Sequence, residues 1–534
     1  MKVLNKLQLL VALLISALQC VAIAPSCPWD AFNYSLANRA VSAGNIHSTN
    51  GTVEGSSGLI NNTAGNTTIS GSGSYVVLDF GKEVGGRISV DVINSTSNSA
   101  FSLSFTESPL FINPTSDDSS QISPTQTIDG LVSFSAPVTA GTYTQHAVLL
   151  RGGFRYLIIV SNCDDNPTIS NVALNITFAP HWTTPLNDYT GYFSAKDTSG
   201  FHDVDFWTKL WYGGAYTAQT NTVDVSEGKQ EGVIGQIDWY NNANLGPATG
   251  PVQEHIARRH GYILEHPAGV HERPLRTRCS SCLRPRIRVM ARFHMMAPTS
   301  TTSSETYHCR TLIGAHSYYT FIWSNYTYAV EFLEKVDSTG LVDVTYNSLL
   351  WDATAGMYRD NDTTSMHPQD GNSLAACADT IRPFIAGFEL QAHFIAGNGS
   401  RALNLMRNQG AVAEWDASFT SHSHGWSTGP TFSLLFYLLS LQLQYAQCVT
   451  YGLNAAEGAT KHASGWFGVQ WNATNATIAF EVSTPVGTNG AIALPGTGPL
   501  TIDGTALPAS AMSGLVEVGG GNHTVVRSLA VRIT

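Results

Sequence analysis

The alternation of apolar and polar positions changes character twice along this chain. From residue 25 to about 185 it has a period of two. In "SYVVLDFGKEVGGRISVDVI", Ile88, Val90 and Val92 fall on one side and Ser89 and Asp91 on the other. "FSLSF" repeats the pattern with Phe101, Leu103 and Phe105, and "GGFRYLIIVS" is a fuller apolar strand after a Gly-Gly turn. Many short strands between Gly, Asn and Ser turns predict a β-sandwich. The period then becomes helical. "DTSGFHDVDFWTKLWYGGAYTAQTNTVD" places Val204, Trp207, Leu210 and Trp211 on one face, with Asp197, Thr198 and Ser199 as N-cap candidates. Helical texture resumes in "CRTLIGAHSYYTFIWSNYTYAVEFLEKV", "IRPFIAGFELQAHFIAGN" and "TFSLLFYLLSLQLQYA". The last is apolar nearly all round, as a buried helix is. From about 462 strands return in "ATIAFEVSTP", "GAIALPG" and "HTVVRSLAVRI". The order is β, α, β: an accessory domain over 25–185, a helical region over 186–460 and a β-domain over 461–534. No internal repeat is evident.

The first residues, "MKVLNKLQLLVALLISALQCVAIA", break the pattern. Lys2 and Lys6, an apolar run and small residues make residues 1–24 a secretory signal peptide, cut near 19–24. No later stretch reaches 18 apolar residues, so no membrane span is expected. Twelve Asn-x-Ser/Thr sequons agree with export: Asn33, Asn50, Asn61, Asn66, Asn94, Asn175, Asn325, Asn361, Asn398, Asn472, Asn475 and Asn522. Charged residues are 13% of the chain and the net charge is −11, which argues against a nucleic-acid partner and suits a neutral substrate. Eleven Trp and 20 Tyr are suited to sugar platforms, and equally to a large core. Of eight cysteines, Cys20 falls in the leader, leaving an odd number. Export permits disulfides, and Cys27 with Cys163 is the trial pairing.

Several stretches carry a resemblance: "DFGKEVGG" (79–86), "YTGYFSAKD" (189–197), "FWTKLWYGGAYTAQTNTVD" (206–224), "TLIGAHSYYTFI" (311–322), "SLLWDATAGMYRDND" (348–362), "HPQDGNSLA" (367–375), "PFIAGFELQAHF" (383–394), "TSHSHGWSTGPT" (420–431) and "GWFGVQWNATN" (465–475). They resemble secreted fungal α-L-rhamnosidases of glycoside hydrolase family 78. "HPQDGN" and "SHGWSTGP" are the more specific of them. The resemblance implies a multidomain α+β chain, with a central (α/α)6 six-hairpin barrel flanked by N-terminal and C-terminal β-sandwich domains. It implies removal of terminal α-L-rhamnose from a glycoside by inversion, with no metal or organic cofactor. Inversion takes two carboxyl groups about 6.5–9.5 Å apart, one giving a proton to the leaving oxygen and one activating water.

The chain departs from that family where the chemistry should lie. The family's acid follows a Trp-Tyr-Asn-Asn-like segment, in a stretch like Asp-Gly-Ala-Lys-Arg-Asp-Arg and then Trp-x-Gly-Asp. Here "IDWYNNANLGPATGPV" (237–252) leads to the place, and the motif is absent. From Trp239 to Glu334 there is no Asp and no Lys, and Arg258 to Arg310 is rich in arginine. Residues 253–304 read as a shifted frame or mis-spliced exon, which the coding DNA translated in all three frames tests directly. The other readings are a solvated basic insertion and a functional basic patch. "CSSC" (Cys279, Cys282) lies near His294, His308 and Cys309, but the spacing fits no zinc motif, and "HIARRH" lacks the Glu of a zincin.

The family's base is a Glu before the His-Gly-Trp segment, in a loop that is shorter here. Glu414 in "LNLMRNQGAVAEWDASFTSHSHGW" stands nearest, as a relocated base or by chance. Glu389, in an apolar helix, is a candidate buried acid or a structural carboxylate paired internally. His424 and Trp426 match the family's cleft: a His donates to a sugar hydroxyl and a Trp covers an apolar sugar face. The plainer roles are a turn cap and core packing. Asp370 in "HPQDGN" binds a hydroxyl or caps the next helix. Asp238 and Trp239 precede the departure and would line the cleft floor. With the acid missing, the chain reads as an impaired hydrolase. The alternatives are a non-catalytic secreted carbohydrate-binding protein and another (α/α)6 sugar enzyme.

Overall fold

The computed structural model describes residues 24, 27–63, 65–115, 121–123, 126–127, 131–151, 153–180, 182–221, 351–354, 357–358, 383–409, 423, 428–441, 446–447, 451–462, 465–508 and 515–529. Two bodies of antiparallel strands dominate, with four helices between them among the described residues.

The N-terminal body is the expected β-sandwich, a nine-stranded sheet folded on itself. Its organising strand is Thr67–Val84. The far end pairs with Phe154–Ser161, and Thr67 and Thr68 pair with Ile169 and Thr168, so one strand serves both layers. The period-two reading holds: Ile88, Val90 and Val92 are buried with Val76, Leu78, Phe101, Leu103, Phe105, Leu157, Ile159 and Leu174. The strand "GGFRYLIIVS" is apolar on both faces for a physical reason. Its other side, Tyr156, Ile158 and Val160, is buried with Val77 and covered by Ile112. "DFGKEVGG" ends the strand Thr67–Val84 and begins the next at Gly86, with Gly85 between them. Asp79 accepts from Gly81 N at 2.7 Å and from Arg155 at 2.8 and 3.0 Å.

The C-terminal body holds a seven-stranded sheet, its first strand drawn from before the helices. Gly191–Ala195 pairs with Ala455–His462, matching Gly191 to Thr460 and Ala195 to Ala456. The helices are therefore an excursion between two neighbouring strands of one sheet. The sheet continues through Gly465–Ala473, Thr477–Ser483 and Asn522–Ser528. Ile492 and Val516, from a separate three-stranded sheet, share a core with Val469, Trp471, Phe480 and Val525, which makes a second sandwich.

The four helices are α1 (Phe206–Thr220), α2 (Pro383–Ile395), α3 (Gly399–Gln409) and α4 (Gly429–Ser433), the last running on as a π-helical turn through Leu438. The (α/α)6 barrel is not seen among the described residues; 222–350 and 359–382 lie outside them. No described helix is long and apolar enough to cross a membrane.

Four local expectations change. The helix after strand 191–195 starts at Phe206, so Asp197, Thr198 and Ser199 do not cap it, and Val204 is exposed. The apolar run at 431 leaves its helix at Leu439, where Ser440 takes a left-handed φ of 61°, and 446–447 is strand. The helix Gly399–Gln409 was not expected, although Ala402, Leu403, Leu405 and Met406 are buried at helical spacing. Cys27 and Cys163 are both free thiols, so the trial disulfide is not formed.

Three contacts hold the helices to the sheets. Asp197, freed from capping, takes a two-pronged grip from Arg407 of α3 at 3.1 Å on each oxygen. The Arg407 guanidinium also lies over the Trp207 ring, 4.9 Å from its centre, and its carbonyl accepts from His202 Nε2 at 2.8 Å. Trp471 of the sheet donates to Leu438 O at 3.0 Å. Gly458 lets the end of α4 approach the sheet, since a Cβ there would lie 2.4 Å from Leu439 Cδ1 and 2.6 Å from Tyr192 O.

The Asp197 side chain is fully buried and that of Arg407 is 12% exposed. Asp197→Ala would leave the guanidinium without its counter-charge and is expected to destabilise the chain by about 3–5 kcal/mol in chemical denaturation. The double variant with Arg407→Met should recover part of that loss.

Candidate functional site

Of the candidate residues, Glu389 alone is described; Asp238, Trp239, Asp370, Glu414, His424 and Trp426 lie outside the described residues. Glu389 sits in the middle of α2. This helix opens on Pro383, whose fixed φ suits the first turn and whose missing N–H has no helical partner there in any case. Residues four apart share a helix face, so His393 lies one turn beyond Glu389. Both side chains are inside, at 0% and 2% exposure. His393 Nε2 stands 3.8 Å from Glu389 Oε1, an electrostatic contact too long for a hydrogen bond.

The surroundings are apolar. Leu390 and Phe394 of α2 pack with Leu403 and Met406 of α3 and with Phe432 and Leu435 of the α4 segment. Phe394 stacks on Tyr437 at 4.9 Å and meets Tyr451 edge-on at 5.5 Å. In this setting burial pushes the His393 imidazole below its ordinary value of 6.5, and the positive Arg401 adds to the shift. The pair is thus a carboxyl group one helical turn from an imidazole of lowered proton affinity, both inside the helical core.

The segment quoted as "TSHSHGWSTGPT" is anchored at two described points. Ser423 O accepts from Asn221 Nδ2 at 2.7 Å, and the Ser423 hydroxyl meets that of Thr220 at 2.9 Å. Thr431 donates to Trp211 O at 3.5 Å. The structure therefore brings Ser423 to the C-terminal end of α1 and Thr431 to its middle. The tie at Asn221 was not anticipated. Its partners are 202 positions apart, and no local pattern signals it. Among the described residues no cluster of His, Cys, Asp and Glu is placed to hold a metal ion.

No family model matches this chain, and no curated protein does. Solved structures do. The α-L-rhamnosidase of Dictyoglumus thermophilum aligns with a TM-score of 0.52 at 10% identity, covering 92% of this chain and 63% of that enzyme. The fold is α-L-rhamnosidase-like. The rhamnosidase of Bacillus SP. GL1 aligns at TM-score 0.49 and 15% identity over 81% of this chain and 53% of that one. The α-L-rhamnosidase of Aspergillus terreus aligns at 0.46 and 12% over 91% and 64%. The rhamnosidase-like fold rests on the first, of whose length this chain spans less than two thirds.

The buried imidazole makes stability depend on pH. Its folded-state value lies below 6.5, so the unfolded chain binds the proton more readily. The contribution of neutral His393 is intact above 6.5 and is lost as pH falls from there through the lower folded-state value. His393→Gln should flatten the fall in melting temperature between neutral and mildly acidic pH, as calorimetry across that window would show.

Proposed function

We propose that this chain is a secreted glycoside hydrolase of the α-L-rhamnosidase type whose catalysis is impaired. The observation that carries the reading is the rhamnosidase-like fold over 92% of the chain. The substrate is a terminal α-L-rhamnoside, and the barrel that would cradle it is assigned to 186–460, between sandwiches at 25–185 and 461–534. Residues 1–24 direct export. His424 and Trp426 contact the sugar, Asp370 binds a hydroxyl, and Asp238 with Trp239 form the cleft floor.

The proposed mechanism is inverting. Glu414 activates the water, and Glu389 serves as proton donor. Burial of the kind found at Glu389 and an adjacent imidazole are what a protonated acid needs. Neither role needs a metal or an organic cofactor. Impairment follows from the missing acidic stretch after residue 252, since removing a positioned proton donor lowers rates by about 10²–10⁴-fold.

That same absence favours a second reading, a secreted carbohydrate-binding protein that keeps the aromatic cleft without hydrolysis. A chromogenic α-L-rhamnoside separates the two. The first reading expects slow turnover that Glu414→Gln abolishes. Rhamnose binding in calorimetry with no turnover supports the second. Turnover at full glycosidase rates contradicts impairment, and release of a different sugar moves the assignment to another enzyme of the same architecture.

A further inference from the structure

We propose that Asn50 carries an N-linked glycan that covers an unguarded sheet edge and keeps two copies of this chain from pairing along it. The strand is Asn45–Glu54, ten residues long and about 33 Å in length. Among the described residues it pairs on one side only, with Thr67–Val84. Among the described residues, its other side is therefore a row of backbone donors and acceptors with no strand beside it. Soluble proteins blunt such edges with lysine, proline, inward charge or a bulge, and this strand has only a one-residue bulge near its start, between Ile46 and Ser48. This strand reads "NIHSTNGTVE", in which Glu54, at its end, is the one carboxylate and there is no Lys, Arg or Pro.

What the strand carries instead is a sequon, Asn50-Gly51-Thr52, at its middle. All three residues are exposed. The register slips here: Asn50 opposes Tyr75 and Thr52 opposes Ser70, so the extra residues lie on the partner strand, while Gly51 itself takes a φ of +72°. Among the described residues the Asn50 side chain makes no hydrogen bond, which leaves its amide nitrogen available. In the transfer, Asn50 Nδ2 forms a bond to the anomeric carbon of a lipid-linked oligosaccharide. The bond from that carbon to the lipid diphosphate breaks, and one amide proton leaves with the diphosphate.

Asn33 supplies the contrast within the same body. Its Nδ2 donates to Asn187 O at 2.8 Å, and its Oδ1 accepts from Ser35 N at 3.1 Å. The Ser35 hydroxyl is itself buried against Leu186 O at 3.0 Å. A glycan at Asn33 would prise this joint apart, so the folded, exported chain leaves Asn33 bare.

The proposal rests on the reading of residues 1–24 as an export leader. The test is made on the full chain in a eukaryotic secretory host, once with its own leader and once behind the host's. Failure of the native leader then shows as retention of the first protein alone, with the second still readable. Peptides released from their glycans in heavy-oxygen water should carry the isotope at Asn50 and not at Asn33. Thr52→Ala, which removes the sequon, should raise the weight-average mass towards twofold as concentration rises in sedimentation. Thr52→Ser, which keeps the sequon, should match the parent. If Thr52→Ala is not secreted, endoglycosidase trimming of the native protein gives the same comparison. An unlabelled Asn50, a labelled Asn33, or a bare edge that stays monomeric throughout the series overturns the proposal.

Discussion

The pairing of Gly191–Ala195 with Ala455–His462 is the constraint on which the rest of this molecule depends. It brings together two points between which the whole helical region runs. Closing so long an excursion has an entropic cost that grows slowly with length, so the contacts at its neck need to be specific rather than numerous. They are. The backbone of Lys461 donates to Thr190 O at 2.9 Å, extending the ladder by one rung. Gly458 admits Leu439, and Trp471 binds the last turn of the π-helical segment. Arg407 then ties α3 to Asp197, two residues beyond the end of the first strand.

A second joint makes the N-terminal sandwich part of the same unit. Helix α1 is divided between two cores: Trp207, Trp211 and Tyr212 belong to the helical and C-terminal core, and Tyr216 to that of the sandwich. The Tyr216 hydroxyl donates to Glu83 O at 2.6 Å, at the end of the strand Thr67–Val84. One turn further on, Gln219 meets Ser35 at 2.6 Å and donates to Leu186 O at 2.8 Å. The sheets thus fix the axis of the one helix that leads from the scaffold towards the proposed cleft.

The strands were legible because a half-buried strand writes its burial into alternate positions, as Ile88, Val90 and Val92 do. The helices were legible where an apolar stripe is long, as in α1 and α2. Helix α3 was hidden by its polar positions and by its place beside the segment expected to hold the base. Asp197 misled, because a cap and an ion-pair partner look alike until the cation is found, and Arg407 lies 210 positions away. Of the candidate residues only Glu389 is described, and its burial is what an apolar helix announces. That His393 faces it follows from helical spacing alone, whereas the fall in its proton affinity comes first from burial in the assembled core and then from Arg401 of the next helix.

Amide hydrogen exchange on the intact protein tests the closure of the helical region most directly. If the paired strands are its neck, the amides of residues 191–195 and 455–462 will open together, with the free energy of helices α1 and α4, and will lose protection together in Asp197→Ala. Rapid exchange across 191–195 while 455–462 stays protected would show that the two strands are not joined, and that the helices do not arise from one sheet.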